Sequence, residues 1–468
     1  MNKRKLLIIL LILVVSLSTI FILNPGSDYY WHITAGKYMV NNHTILTNDI
    51  FSWFVTGKYW MSHEWLYECI IYMFKNIFGN NHIFMYSFIN VFILLIVLFM
   101  TNKDNYKKNT IATIIWLGSY LLINIGLITP RPHLISTWLL ALTLYLLYDL
   151  RKNENSKKIY LLPLVSLLWA NVHGGSSNLG YLLCLLFIIT GLFNINNKYI
   201  DINKISKKQL IKYLVVFILM IGVIIINPHG LKMLIYPYQN IFNDLMQKNI
   251  MEWHHTSILN PYNYVYFGLI GVIIIIFIKS KKKISIIDLL LFLGFTYMGI
   301  RSLRFWNYLY IGSSFCIFDY IKERKDDKNT SIILSIVIVL LLSLFTINYK
   351  NQNNRIINNR IISDKAISVL KREKPKRLFN LYDFGGYLVY KNINVFIDGR
   401  ADLYTDYNYK DYLDISNNKN TKKLIDKYRF DYFIVNKKFK IYKYLKNDKE
   451  YIKIYNDKNA LIYKKKDI

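Results

Sequence analysis

Long apolar runs separated by lysine-rich breaks constrain this chain more than any other feature. A stretch of about 18 or more apolar residues crosses a bilayer as a helix. Eleven segments read this way: 6–23, 82–100, 110–128, 132–149, 159–174, 178–194, 213–226, 263–279, 284–300, 306–321 and 331–347. The runs at 159–174, 213–226 and 306–321 are the weakest. Helices that stop short at one side predict a cavity sunk into that side. The expected fold is therefore an α-helical polytopic membrane domain over residues 1–347.

The breaks set the orientation. Clusters at 3–5, 103–108, 151–158, 198–212, 279–283 and 322–328 hold 23 of the 31 Lys and Arg before residue 348. Short positive segments stay in the cytoplasm. The N-terminus is thus expected inside, and an odd number of spans places residues 348–468 outside the cell membrane. Residues 1–23 have the basic start and apolar core of a signal peptide. Asn24-Pro25-Gly26 follows with no small-residue cleavage pattern, so they read as an uncleaved first helix. The net charge of +30 follows from this sorting and from a composition rich in Lys, Asn, Ile and Tyr. No basic-aromatic module accompanies it, which argues against nucleic acid as a partner. Cys69, Cys184 and Cys316 lie in or beside apolar runs without paired spacing, so they read as buried thiols.

The outer side differs in kind. Two long outer loops are expected, 24–81 and 227–262. Segments 28–40 and 63–78 of the first mix aromatic, apolar and polar residues at helical spacing, as helices lying at a membrane surface do. After residue 348 the apolar helices stop and short alternating runs begin. Strands are expected at 378–381, 395–397 and 432–435, helices at 383–391 and near 420–428, and a closing hairpin at 452–455 and 460–463. Residues 348–468 thus read as an extracytoplasmic α/β domain.

All nine histidines fall on the outer side of this topology, beside carboxylates and arginines. Asp28 and His32 share one face of a helix, as do Glu64 and Glu68. Asp28 there can take a proton from a hydroxyl, with His32 or Glu64 orienting it, or it can begin the helix as a cap. Asp28, His32, His63 and Glu64 also have the ligand types of a divalent metal ion, at an unspecific spacing. Arg131 and His133 sit in a Pro-rich turn, and Arg301 and Arg304 sit between two further helices. Arginine forks placed at helix mouths suit phosphate oxygens; the competing explanation is snorkelling to lipid headgroups. Trp169 to Gly175 and Asn227 to Gly230 each end a helix with His next to Gly; the glycines read as ordinary C-caps, while His173 and His229 can donate to a phosphate or an oxyanion. Glu252 adds a carboxylate in the second long loop. Asp398, Arg400 and Asp402 follow the run 395–397. Gly399 marks a turn there; the competing reading has Arg400 reaching over the membrane cavity.

With Asp28 just after the first helix, the loop 24–81 and the appended domain 348–468, the chain resembles the GT-C membrane glycosyltransferases. The layout is similar to the protein-mannosyl and aminoarabinose transferase branches. The segments DFGGY at 383–387, FIDGRADLY at 396–404, WANVHGG at 169–175 and NPHG at 227–230 resemble those of uncharacterised bacterial polytopic proteins. The paired acidic motif of many GT-C enzymes is missing, since Tyr29 follows Asp28, and no WWDYG-like segment is present. The resemblance implies a polyprenyl-phosphate-linked sugar donor, transfer on the outer face of a bacterial plasma membrane, and an envelope glycan, lipid or protein as acceptor. Without it, the residues leave two rivals open. One is a transporter or flippase of an envelope lipid, which should show internal repeats and polar residues at mid-membrane. The other is a metal-dependent phosphoesterase.

Overall fold

A computed structural model describes residues 3–22, 25–102, 109–124, 127–241, 248, 253–322, 362–405 and 407–466. The chain divides into two compact units, Met1–Asn24 with Asn81–Gln352, and Pro25–Asn80 with Asn353–Ile468.

The first unit is helical, as its composition requires. Helices occupy Lys3–Leu17, His82–Thr101, Thr110–Ile123, His133–Lys152, Leu162–Val172, Asn178–Gly191, Lys207–Ile224, Tyr264–Lys279, Ile286–Arg301 and Trp306–Ser313. Each falls on one of the expected runs; the run 331–347 lies outside the described residues. His133–Lys152, Gly174–Gly191 and Pro261–Lys279 are long and apolar enough to cross a bilayer, and so is the helical stretch Trp65–Thr101 that includes His82–Thr101. Ile211, Leu214, Val215, Ile218 and Leu219 stay exposed along Lys207–Ile224, and Val272, Ile275 and Ile278 along Tyr264–Lys279. Apolar faces of that size are stable against lipid and not against water, so this is a membrane protein. Several helices are short or end in 3₁₀ turns, at Ser18–Ile22, Lys158–Leu161 and Gly174–Ser176.

A small sheet was not expected. β1 (Ile195–Asn196) pairs antiparallel with β2 (Ile200–Ile202), which pairs in parallel with β3 (Ile284–Ser285). The turn between β1 and β2 is held by Asn197, whose Oδ1 accepts from Tyr199 N and Ile200 N. Ser206 and Gln209 then form a capping box that starts Lys207–Ile224, satisfying two of the helix's open N–H groups.

The second unit joins residues 25–80 to the C-terminal segment. Its sheet runs β4 (Leu378–Asn380), β5 (Tyr432–Val435), β7 (Leu461–Lys465), β6 (Tyr451–Asn456), with β4 and β5 parallel and the rest antiparallel. The expected helix after the first strand spans Tyr382–Tyr390, and the next expected one Thr421–Tyr428. The run Val395–Ile397 is not a sheet strand. The Asn380 side chain occupies its backbone instead, accepting from Phe396 N and donating to Ile397 O, and Asn408 donates to Phe396 O. Its one bridge is to Ser52 of the 25–80 segment, and Trp53 Nε1 donates to Leu378 O at 2.9 Å.

Both expected loop helices form, as Asp28–Asn42 and Trp65–Phe78. Neither lies free on a surface. Gly36 meets the second helix so closely that a Cβ there would lie 1.9 Å from Glu68 O, and Gly386 meets the first so that its Cβ would lie 2.4 Å from Ser27 O. Tyr29, Trp31, His32, Ile33, Ala35 and Met39 are buried as a result.

Candidate active site

Asp28 is the first residue of its helix, and Ser27 is the N-cap, with its Oγ 3.4 Å from Asp28 Oδ1. A carboxylate in the first turn is stabilised by the unpaired N–H groups there. Its position depends on Gly399 of the Asp398-Gly399-Arg400 turn. A Cβ on Gly399 would lie 2.0 Å from Asp28 Oδ1 and 2.6 Å from Trp31 Nε1. That nitrogen is buried and has no acceptor among the described residues. Asp383, second residue of Tyr382–Tyr390, is the neighbour that sequence reasoning missed as a site residue. Burial and the nearby charge of Asp28 raise its carboxyl above the usual range. Two glycines bring this helix in. Gly386 touches Ser27, and a Cβ on Gly385 would lie 2.2 Å from Ile397 O. Adjacent glycines inside a helical pattern are the signal that could have located it.

Behind Asp28 lies a chain of histidine–carboxylate contacts. His32 Nε2 faces Glu64 Oε2 at 3.5 Å and Nδ1 faces Glu68 Oε1 at 3.4 Å. His63 Nε2 faces Glu64 Oε1 at 3.3 Å and Nδ1 faces Asp402 Oδ2 at 3.8 Å. Burial disfavours charge on His63, but Glu64 and Asp402 outweigh it and push its pKa up to about 9. Burial raises Glu68 against the opposing pull of His32 and Ser62. The His32 ring lies against Trp31, with centroids 3.6 Å apart. This network therefore fixes the face of the helix that carries Asp28 and Trp31.

The same residues fit a metal poorly. Both nitrogens of each histidine are directed at carboxylates rather than at a shared point. Among the described residues, no group of three His, Cys, Asp or Glu is arranged to hold a metal ion.

Arg400 is a structural pin. It is 1% exposed. Nε and Nη2 donate to Asp398 at 2.9 and 2.7 Å, Nη2 also to Tyr404 Oη at 3.0 Å, and Nη1 to Asp49. The guanidinium lies 4.8 Å from the Trp60 ring and 5.1 Å from Phe51. The charge cannot reach a ligand, so the turn reading of 398–400 holds and the reaching-over reading is dropped. Asp49 accepts from Phe51 N and Ser52 N, as the first residue of a turn does. Its pairing with Arg400 spans 351 residues and ties the 25–80 segment to the C-terminal one.

The membrane unit gathers other candidates. The two His-Gly motifs are joined: Asn227 Nδ2 donates to Ala170 O and Asn171 Oδ1, and Asn227 Oδ1 accepts from His229 N. Gly230 has φ +57, the left-handed conformation expected of a glycine past a helix end; Gly174 and Gly175 do not. His173 is buried, its Nδ1 2.7 Å from Ser136 Oγ and 3.0 Å from Ser176 Oγ, with Trp169 Nε1 donating to both hydroxyls. His133 Nε2 faces the carbonyl of Leu127. Arg131 is half-buried, and its carbonyl accepts from Tyr86 Oη at 3.0 Å. Arg301 ends its helix exposed. Arg304 lies 4.8 Å from the Trp253 ring, and Thr256 N donates to Ile300 O. The second long loop and the Arg301–Arg304 turn thus meet. Glu252 lies outside the described residues.

No family model matches the sequence, and no curated protein matches it. Solved structures do. The Archaeoglobus fulgidus oligosaccharyltransferase tethered to an acceptor peptide containing the NVT sequon matches with TM-score 0.57 and 11% identity, over 93% of this chain and 69% of that one. The same archaeal enzyme, AglB, in complex with an inhibitory peptide and a dolichol-phosphate matches with TM-score 0.52 and 11% identity, over 92% and 69%. These are oligosaccharyltransferases, where sequence reading pointed to the layout of the protein-mannosyl and aminoarabinose branches. Shared architecture at this identity speaks for the fold, and the chain has the fold of this archaeal oligosaccharyltransferase.

Proposed function

We propose that the protein is a membrane glycosyltransferase that moves a sugar from a polyprenyl-phosphate-linked donor to an acceptor hydroxyl or amide of the cell envelope, on the extracytoplasmic face of a bacterial plasma membrane. One observation carries this reading: a single carboxylate, Asp28, is held at a helix N-terminus by a glycine packed against it and a second carboxylate beside it. A general base needs that kind of fixed placement. Asp28 takes the proton from the acceptor. The acceptor atom attacks the anomeric carbon, and the polyprenyl phosphate leaves with the bonding electrons. Arg131, Arg301, Arg304 and His173 are assigned to the phosphate, where arginine forks neutralise the leaving charge. The histidine–carboxylate chain through His32, Glu64, Glu68 and His63 positions Asp28 rather than reacting. The neighbours support a lipid-linked donor, since one holds a dolichol-phosphate, and an acceptor bound outside the lipid, since one holds a peptide.

The test is the lipid that comes with the protein. Mass spectrometry of lipid extracted from the purified protein is expected to find a polyprenyl phosphate or its glycosylated form. It should be depleted in an Arg131→Ala, Arg304→Ala double variant. A co-purified lipid without a phosphate-linked polyprenyl chain, unaffected by those changes, would overturn the reading.

A further inference from the structure

A second feature of the unit built from residues 25–80 and the C-terminal segment lies away from Asp28. A cavity of about 280 Å³ is lined by Ile33, Thr34, Lys37, Tyr72, Lys75, Lys371, Tyr390, Lys391 and Asn392. Lys37 and Asp28 are nine residues apart on one helix, which at 100° per residue puts them on opposite faces. Four lysines therefore converge from both loop helices, from the helix Asp364–Glu373 and from the end of Tyr382–Tyr390. No carboxylate lines the space.

Elsewhere in this unit some lysines reach a carboxylate. Lys427 pairs with Asp411 at 2.6 Å, Lys464 with Glu373 at 3.1 Å and Lys465 with Glu450 at 3.7 Å. Around the cavity, Lys391 pairs loosely with Asp364 at 3.8 Å and lies over the Tyr387 and Tyr390 rings, 5.3 and 5.7 Å from their centroids. Lys75 donates to the Tyr390 hydroxyl at 2.9 Å, a neutral partner. Lys37 and Lys371 make no ion pair among the described residues. Lys75 and Lys371 stand in the last turns of their helices and Lys391 is the C-cap of Tyr382–Tyr390, where the helix dipole favours a cation; Lys37, inside its helix, has no such reason to be there. Gathering like charges without a counter-charge is unfavourable, and an anion in the cavity removes the cost.

The geometry points to a binding site for a phosphate-bearing group in this cavity, held by Lys37, Lys75, Lys371 and Lys391. We infer phosphate rather than a carboxylate because a tetrahedral anion presents oxygens in several directions at once. Ammonium groups arriving from four elements match that, and lysine serves phosphate as a point charge. Tyr72, Tyr390 and Thr34 add hydroxyls at the rim. The volume exceeds that of a lone phosphate and lies just below the usual range of small-ligand pockets, about 300–1,000 Å³. It suits a headgroup or a polyol phosphate. The inference does not depend on the transferase reading, since the site is on the other face of the helix.

Binding is measured on the full-length protein in detergent, by native mass spectrometry and thermal shift. The probes are inorganic pyrophosphate and short-chain phosphatidylglycerol, with short-chain phosphatidylcholine as control. The variants are Lys37→Gln, Lys371→Gln and their combination, with Lys422→Gln, Lys423→Gln on the distant helix Thr421–Tyr428 as the composition control. The expected result is binding that falls by about tenfold for each cavity lysine lost and is unchanged in the control. Loss confined to pyrophosphate assigns a soluble or polymeric phosphate; loss confined to phosphatidylglycerol assigns a lipid headgroup. Binding that survives the double cavity variant, or falls equally in the control, overturns the site and leaves general basicity as the explanation. The Gln side chains keep length and polarity, and a folded variant is verified by its melting transition.

Discussion

Replacing Gly399 by alanine moves Asp28 without touching its chemistry. Gly399 is not among the residues with positive φ, so an L side chain is tolerated by the backbone and the effect is steric alone. The new Cβ would lie 2.0 Å from Asp28 Oδ1 and 2.8 Å from its Cγ, against an ordinary contact of 3.4 Å or more. Asp28 has only two side-chain torsions, and Trp31 Nε1, at 2.6 Å, blocks another route. The carboxylate must therefore retreat by roughly 1.4 Å, the difference between those contacts. A displacement of about 1 Å in a reacting group costs about 10²-fold in rate. Overpacking a fitted contact costs about 1–3 kcal/mol of stability, which an intact unit survives. The assay is release of polyprenyl phosphate from a lipid-linked sugar, run beside a melting curve. Turnover should fall by about two orders of magnitude while the variant stays folded. A folded Gly399→Ala protein with unchanged turnover would refute the argument that the turn at 398–400 positions the reactive carboxylate.

Other consequences are more direct. Arg400→Met leaves Asp49 and Asp398 buried without their cation, and breaking a buried pair costs about 3–5 kcal/mol; a loss of folded protein is expected, read as poor recovery and a lowered melting temperature. His63 has a folded pKa raised to about 9 from an ordinary value of 6.5. Its contribution to stability is therefore full below about pH 6.5 and is lost as pH rises through 9; the melting temperature should fall across that window, and His63→Gln should flatten the fall. Asp383→Asn removes a negative charge that Asp28 feels, so the acid limb of the pH–rate profile should move to lower pH; an unmoved limb would show that the two carboxylates do not communicate during turnover.

How much of this was legible in the sequence depended on the range of the interactions. The loop helices at 28–40 and 63–78, the helix after Asn380 and the closing hairpin were read from local periodicity, and local periodicity formed them. Val395–Ile397 misled because an apolar run of three looks like a strand from its own residues alone. Its hydrogen bonds go to the side chains of Asn380 and Asn408 and to the backbone of Phe51 and Trp53, which no periodicity displays. The nature of Arg400 was open for the same reason. Gly399 announced a turn, but the partner that buries the charge, Asp49, is 351 residues away. Nothing local marks Asp383, since a carboxylate in a first helical turn has an ordinary explanation. Only the glycines that follow it, each touching another segment's backbone, show that its helix is pressed against Asp28. The small sheet of β1 to β3 is made of pairs too short to leave any pattern.

If Asp28 does the proton transfer while other groups hold the donor, the two roles separate when wild type and Asp28→Asn are compared in donor turnover and in donor-lipid binding on the same preparations. The asparagine keeps the shape and removes the base. Loss of a positioned general base costs about 10²–10⁴-fold in rate, so turnover should fall by that order while the lipid-linked donor binds as before. Near-normal turnover in Asp28→Asn, or a loss of donor binding equal to the loss of rate, would contradict the account.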